Sequence, residues 1–436
     1  METHKAILKR ALLIMLILAG SYNVMWGGTY KISKSPMDSI EYFSFSGKVI
    51  DAETENPIAF ASIFRLGSNI GTVSNSDGEF VIKITGSSKE GKIGFSYIGY
   101  KEYTIDISAL KAEENVIKLV PSPIPLKEVI IRTKDPIDLL KSALNNISQN
   151  YSKEPMMLTS FYRESIKQNR NYVAISEAIL DVYKSSYTQD FDIDRIKIYK
   201  GRKSQDVKKM DTIVVKLQGG PSTSFLMDVV KNPYMLIDDQ SMGYYDYEFA
   251  GMIEIDERQT YVISFDQKSN IEYPLYKGKI YLDEKSLAIV SVEFELSDKF
   301  LDKAAAELVK KRPANMRIDI TGSKYLVNYR EIGDKWYFNY VRSELMFKCK
   351  WNKKLFKSNY VTTLEMAVTD RSSENVDKYR LKESIKATDI LVDKTSAFKD
   401  DDFWGGYNTI KPDENIEAAI ERLNKKVQRA NRAGDE

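Results

Sequence analysis

The chain has 436 residues, enough for two domains or one large domain with a module. Hydrophobic residues make up 43% and charged residues 29%, and 64 Lys plus Arg against 62 Asp plus Glu leave a formal charge of +2, which gives no electrostatic case for a nucleic-acid partner. The one cysteine, Cys349, excludes an intrachain disulfide, and the one histidine, His4, lies at the extreme N-terminus.

Lys5, Lys9 and Arg10 precede the apolar run Ala11 to Gly20, the pattern of a secretory signal peptide, which is assigned to residues 1–27. The run is shorter than the roughly 17–25 residues that span a bilayer. No cysteine follows it, so a lipoprotein anchor is not expected. The expectation is export to the periplasm or the outer-membrane periphery, and a mature chain without histidine. Ser-His-Asp and Cys-His catalysis and His-Glu-x-x-His zinc sites all need imidazole, so these classes are excluded. A lone thiol in a chain of this length reads as a small buried side chain.

Residues 41–132 alternate with a period near two, as half-buried strands do. Phe80, Ile82 and Ile84 share one face, as do Ile93, Phe95 and Tyr97, and then Tyr103, Ile105 and Ile107. Asp77-Gly78 is a tight-turn signal, and Asn56-Pro57 marks another turn or strand entry. Turns spaced by about 8–12 residues point to a sandwich. Pro121, Pro123 and Pro125 form a stiff exit, Leu126 to Arg132 reads as one more short strand, and the domain boundary falls at about residue 133.

Residues 133–150 form a linker helix opened by Asp135-Pro136, with Ile137, Leu140, Ala143, Leu144 and Ile147 at helical spacing. Residues 151–400 are β-rich. Strands are expected at 160–166, 172–183, 253–255, 261–265, 278–296 (a hairpin), 325–331, 336–347 and 360–369, with helices near 222–231 and 298–311. Residues 401–436 form a tail with an amphipathic helix at about 413–430.

Little in this pattern carries chemistry. Glu293 and Glu295 share a strand face and read as solvated; a glycosidase would need two such carboxylates placed across a sugar. Asn75-Ser76-Asp77-Gly78 resembles the middle of a calcium loop, but Val73 and Ile84 would fall at its ligating ends, so a hairpin turn is the better reading. Asp400-Asp401-Asp402 reads as a polar linker, and no glycine-rich phosphate cradle is present. Catalytic, metal and cofactor sites are therefore none. Trp336, Phe338 and Tyr340 alternate as one aromatic stripe, either the core of a sheet or the lining of a groove for sugars or acyl chains, and they are the candidate ligand-binding residues.

Gly47-Lys48-Val49, Pro57 to Ala61, Asp77-Gly78-Glu79-Phe80, Tyr97-Ile98-Gly99-Tyr100 and Leu126 to Ile130 together resemble the carboxypeptidase-like regulatory domain, over about residues 43–120. That resemblance implies a noncatalytic, transthyretin-like seven-stranded β-sandwich, as found before TonB-dependent receptors and in envelope proteins of Bacteroidetes-type bacteria. The chain lacks the length for a receptor plug and barrel. Lys277 to Asp283 with Ala288 to Val290 is similar, more faintly, to the lipoprotein-carrier (LolA/LolB-like) half-barrel, which implies an antiparallel sheet curled around a helix and holding acyl chains.

The expected protein is thus mainly β, a sandwich followed by a larger antiparallel half-barrel-like domain with a few helices. Its expected role is that of a noncatalytic envelope protein, with the sandwich docking and the larger domain binding a lipid or an outer-membrane or periplasmic protein. The alternatives are a carboxylate-based enzyme acting on glycans and a structural adaptor of a TonB-dependent receptor.

Overall fold

The computed structural model describes residues 15–18, 41–86, 89–122, 135–188, 192–205, 215–218, 220–255, 258–311, 314–352, 357–391, 394–397, 403–413, 416–423 and 425. Met15–Leu18 (β1), inside the N-terminal apolar run, is a strand between Val215–Gln218 (β12) and Val309–Lys311 (β17). The expected strand at 126–132, the prolines at 123 and 125, and the acidic run at 400–402 lie outside the described residues.

The first module is a seven-stranded sandwich. One sheet has the order Glu79–Thr85 (β5), Tyr42–Asp51 (β2), Asn115–Leu119 (β8). The other has the order Gly71–Val73 (β4), Ser62–Arg65 (β3), Lys92–Ser96 (β6), Tyr103–Asp106 (β7). Alternation places Phe80, Ile82 and Ile84 against Ile63, Ile93 and Phe95, all fully buried, and each such side chain contributes about 1.5–3 kcal/mol. Two glycines are fixed by geometry. A Cβ on Gly47 would sit 2.1 Å from the Asn115 carbonyl oxygen, so only glycine lets β2 and β8 pair there. Gly78 has φ +74 in the turn where Asn75 Oδ1 accepts from the Asp77 and Glu79 amides. The third expected face is less regular: Tyr103 is 40% exposed, and Ile107 leaves the strand for a 3-10 turn.

The helix Pro136–Asn145 (α1) starts where expected, with Asp135 accepting from the Ile137 amide at 2.8 Å. It leads into a sheet of eleven strands, ten of them antiparallel. Their order is Tyr245–Ile255 (β13), Arg258–Gln267 (β14), Tyr276–Asp283 (β15), Ile289–Leu296 (β16), Met316–Ile332 (β18), Lys335–Trp351 (β19), Ser358–Ser372 (β20), Met156–Gln168 (β9), Asn171–Lys184 (β10), Arg195–Gln205 (β11) and the short parallel Ser396–Ala397 (β21).

The sheet has two covered faces. On one, Leu140 of α1, Tyr151, Phe225, Leu236 and Met242 pack against Tyr162, Leu180, Ile263, Val292 and Phe338 to form the main core. On the other, the sandwich, a strap at residues 403–413 and a C-terminal helix cover β9, β10, β19 and β20. Two helical expectations are shortened. The helix near 222–231 is Gly220–Leu226 (α2) and stops before Met227. The one near 298–311 is a 3-10 turn at Asp298–Lys303 and a short helix at Ala304–Leu308 (α3), broken by non-helical angles at Phe300 and ended by Val309, which pairs with β1. The C-terminal helix spans 416–423 of the described residues, and Asp413 accepts from the Ile416 amide at 2.7 Å.

Candidate functional site: a charged seam and an apolar groove

The seam between sandwich and sheet is built on one row of side chains. Strand register places Arg202 opposite Glu177, Glu177 opposite Arg163, Arg163 opposite Glu365, and Glu365 opposite Arg342. Cross-strand neighbours on one face interact, so opposite charges at this spacing pair directly. The Arg163 guanidinium donates to Glu177 at 2.7 Å, to Glu365 at 2.9 Å and to the Ile410 carbonyl at 2.7 Å. Arg202 reaches Glu177 at 2.9 Å, and Arg342 reaches Glu365 at 2.9 Å and Glu344 at 2.5 Å. Burial alone would raise the Glu177 carboxyl, but Arg163 and Arg202 outweigh it and hold it below the usual range.

Over this row lie the strap and two sandwich aromatics. Trp404, Tyr407 and Ile410 are buried against Phe161 and Ile179, and the Arg202 guanidinium sits 4.8 Å over the Trp404 ring. The strap is held at both sides: Thr72 donates to the Thr409 carbonyl at 3.0 Å, and Asn408 accepts from the Lys83 amide and donates to its carbonyl. Phe60, at φ +62, stacks on Tyr340 and lies under Arg342 at 4.7 Å. A bulky residue in that conformation is strained, and the contacts with Tyr340 and Arg342 are what hold it. Phe64 covers Arg330 at 4.9 Å.

Arg330 and Arg371 contrast with the row. Neither has an ion pair among the described residues; Arg330 donates weakly to the Ser68 carbonyl (3.4 Å) and Arg371 to the Phe338 carbonyl (2.8 Å) and Asn339 Oδ1 (3.1 Å). Arg330 Nε and Arg371 Nε and Nη1 have no partner, and burial pushes both groups down.

The aromatic stripe is divided. Trp336 and Phe338 are buried in the main core, whereas Tyr340 points to the sandwich face and joins Phe161 and Trp404. The register of β18 against β19 shifts between Asn328 and Tyr329, which pair with Tyr340 and Phe338, so the extra residue Asn339 breaks the alternation. None of the three lines the cavities described here.

A groove of about 890 Å³ opens at the β11 side of the sheet, between residues 187–196, 222–238 and 381–387. Ile193, Ile196, Phe225, Leu226, Pro233, Tyr234, Leu381 and Ile385 line it, and Asp192, Lys231 and Lys386 stand among them. Ile193 and Leu381 are 63% and 67% exposed and lie in the same lining, so they add open apolar surface to the groove. Beneath it is a rigid polar knot. Lys184 is buried between Asp194 (2.8 Å) and Asp228 (2.9 Å), and Asp228 accepts from Tyr187 (3.0 Å) and Tyr329 (2.8 Å). Burial alone would lower Lys184, but the two aspartates hold it above the usual lysine range. Lys231 donates to the Ser186 carbonyl and is pushed down, first by burial and then by the Lys184 charge.

A second hollow, of about 900 Å³, separates the sandwich from β14–β19. Its floor mixes Lys277, Lys279, Lys324 and Arg342 with Asp266, Glu293, Glu295 and Glu344. Glu293 and Glu295 are partly exposed and line this hollow; Glu293 accepts from the Tyr281 hydroxyl at 3.2 Å and Glu295 pairs with Lys277 at 3.5 Å. Among the described residues no group of His, Cys, Asp and Glu side chains is arranged to hold a metal ion. No described helix is long and apolar enough to cross a membrane. Sequence reasoning missed the strap, the charge row and the groove, which draw on residues from distant parts of the chain. The Arg/Glu alternation down neighbouring strands becomes readable only when register is known.

No curated protein matches the chain. Among solved structures, a DUF1329 family protein from Desulfovibrio piger is similar over 56% of this chain and 96% of its own, at 12% identity and a TM-score of 0.24. A structure of lipid–protein interactions in lipovitellin is similar over 58% of this chain and 28% of its own, at 9% identity and a TM-score of 0.27. Likenesses at that level carry no argument. The first module is different: residues 45–131, with the seven-stranded sandwich already described, match the model of the CarboxypepD_reg-like domain family and form such a domain.

Proposed function

We propose that this is a noncatalytic, exported cell-envelope protein whose large sheet domain holds the hydrocarbon chain of a lipid in the apolar groove, while the CarboxypepD_reg-like sandwich docks it to a protein at the outer membrane. The basic and apolar start of the sequence supports export. The observation that carries the ligand reading is the groove itself. Its volume of about 890 Å³ falls in the range of small-molecule sites, its walls are mainly apolar, and Ile193 and Leu381 leave hydrocarbon surface uncovered at its mouth. Lys386 stands in the same lining as a cation that an acidic head group could meet.

A carboxylate-based enzyme acting on glycans is the second reading, favoured by four acids in the charged cleft between the modules. Against it, three of those acids are already engaged by cations: Asp266 by Lys299 at 2.9 Å, Glu295 by Lys277 and Glu344 by Arg342.

The test is titration of the purified protein with a fluorescent long-chain fatty acid. Saturable binding is expected, weakened about tenfold or more by Leu381→Asp or Ile193→Asp, since each removes about 1.5–3 kcal/mol of apolar contact. Binding that is absent, or unchanged in both variants, contradicts the reading.

A further inference from the structure

A smaller cavity, separate from the groove, lies where three parts of the chain meet. It has a volume of about 300 Å³ and is bounded by the sandwich turn at Asn75-Ser76, the sandwich face of the sheet, and Asp413 and Ile416 of the C-terminal segment. Much of its polar lining is already used within the protein. Arg163 and Arg342 are taken up by the charge row, Asn75 donates to the Pro412 carbonyl at 3.1 Å, and Ser76 donates to Asp413 Oδ2 at 2.8 Å.

Four lining groups are left over. The hydroxyls of Ser165, Thr363 and Tyr172 and the ammonium of Lys167 have no hydrogen-bond or ion-pair partner among the described residues. Ser165 and Tyr172 are otherwise buried, 5% and 7% exposed, so the surface they leave open is what faces the cavity. Lys167 is held 4.3 Å over the Tyr172 ring. Burial, and next the Asp413 charge, push the Tyr172 phenol above the usual range, which keeps it a donor.

The charge pattern narrows the ligand. Among the described residues Lys167 has no anion and Asp413 no cation, and the Asp413 carboxylate is met by the Ser76 hydroxyl and the Ile416 amide. The remaining lining charges cancel, Arg163 and Arg342 against Glu344 and Glu365. A purely anionic ligand would meet Asp413, and a purely cationic one would meet Lys167. One small molecule carrying both charges answers both, with its carboxylate among Lys167 and the free hydroxyls and its ammonium toward Asp413.

We infer that this cavity binds a small zwitterion of the amino-acid or dipeptide class, and that the ligand ties the sandwich turn and the C-terminal segment to the sheet. The volume, at the low end for small-molecule sites, suits that size and excludes a polymer.

Isothermal titration calorimetry on the full chain tests it, with L-alanine and L-alanyl-L-alanine as ligands and acetate, methylammonium and glucose as single-feature controls. At least one zwitterion should bind saturably and at least tenfold tighter than every control. Lys167→Met should weaken it tenfold or more, and so should Asp413→Asn, which retains the helix cap. Tyr172→Phe, which keeps the ring, should weaken it by a smaller factor, and near-ultraviolet circular dichroism should show all three variants folded. A control that binds as tightly as the zwitterions, no binding of either zwitterion, or unchanged affinity in a folded Lys167→Met variant would overturn the assignment.

Discussion

At the scale of single residues, the two sets of buried arginines are opposite cases. Arg163 joins Glu177 and Glu365 in a closed arrangement, so removing it leaves two carboxylates inside the seam without their shared cation. Breaking such a pair costs about 3–5 kcal/mol, whereas a buried charge without a counter-ion carries a desolvation cost that an apolar side chain of similar length removes. Arg330 is of the second kind, with no ion pair among the described residues and an unpartnered Nε. Arg163→Met should therefore lower the free energy of urea unfolding by about 3–5 kcal/mol, while Arg330→Met should change it by less than about 1 kcal/mol or raise it. Equal losses in the two variants would show that the seam does not distinguish paired from unpaired charge. Part of this was legible in the sequence and part was not. Burial of Phe80, Ile82, Ile84 and Cys349 follows from alternation and composition. The division of Trp336 and Phe338 from Tyr340 does not, because a single inserted residue, Asn339, reverses the side on which every later side chain falls.

At the scale of elements, strands were readable where a turn signal adjoined an alternating run. The hairpin of β9 and β10 around Asn169 and that of β18 and β19 around Gly333 are of this kind. Strand β11 was not readable. Its eleven residues include Arg195, Lys197, Lys200, Arg202 and Lys203, which read alone as a solvated segment. They form a strand because Ile196 enters the main core, Arg202 meets Glu177, and Lys200 donates to the Phe403 carbonyl of the strap. The strap was equally hidden, since Trp404-Gly405-Gly406-Tyr407 has no periodicity and gains its order from the two surfaces it joins. Trp404 packs edge-on against Phe161 at 5.6 Å and under Arg202. Trp404→Ala should cost about 3–5 kcal/mol. It should also raise amide hydrogen exchange in residues 403–413 and in the sandwich segment 72–76, with the β9–β10 hairpin still protected. An increase confined to residues 403–413 would show that the strap does not hold the sandwich.

At the scale of the whole molecule, the sheet is covered on both faces. Helices and loops fill the side where the half-barrel likeness expected a ligand, and Trp336 and Phe338 are part of that filling. Concave space remains at the edges instead: the apolar groove by β11, the charged cleft under the sandwich, and the small cavity at the three-way junction. This architecture places the CarboxypepD_reg-like module on one face and a hydrocarbon-lined opening at the rim, with the buried knot of Lys184, Asp194 and Asp228 at the groove's base. The central claim is that a lipid chain occupies the groove. The most direct measurement is mass spectrometry of the organic extract from the full chain purified out of a bacterial envelope fraction, beside a Leu381→Asp and Ile193→Asp double variant treated identically. Acyl lipid is expected in near-stoichiometric amount from the first and strongly depleted from the second. Extracts free of lipid, or equal recovery from both proteins, would contradict it.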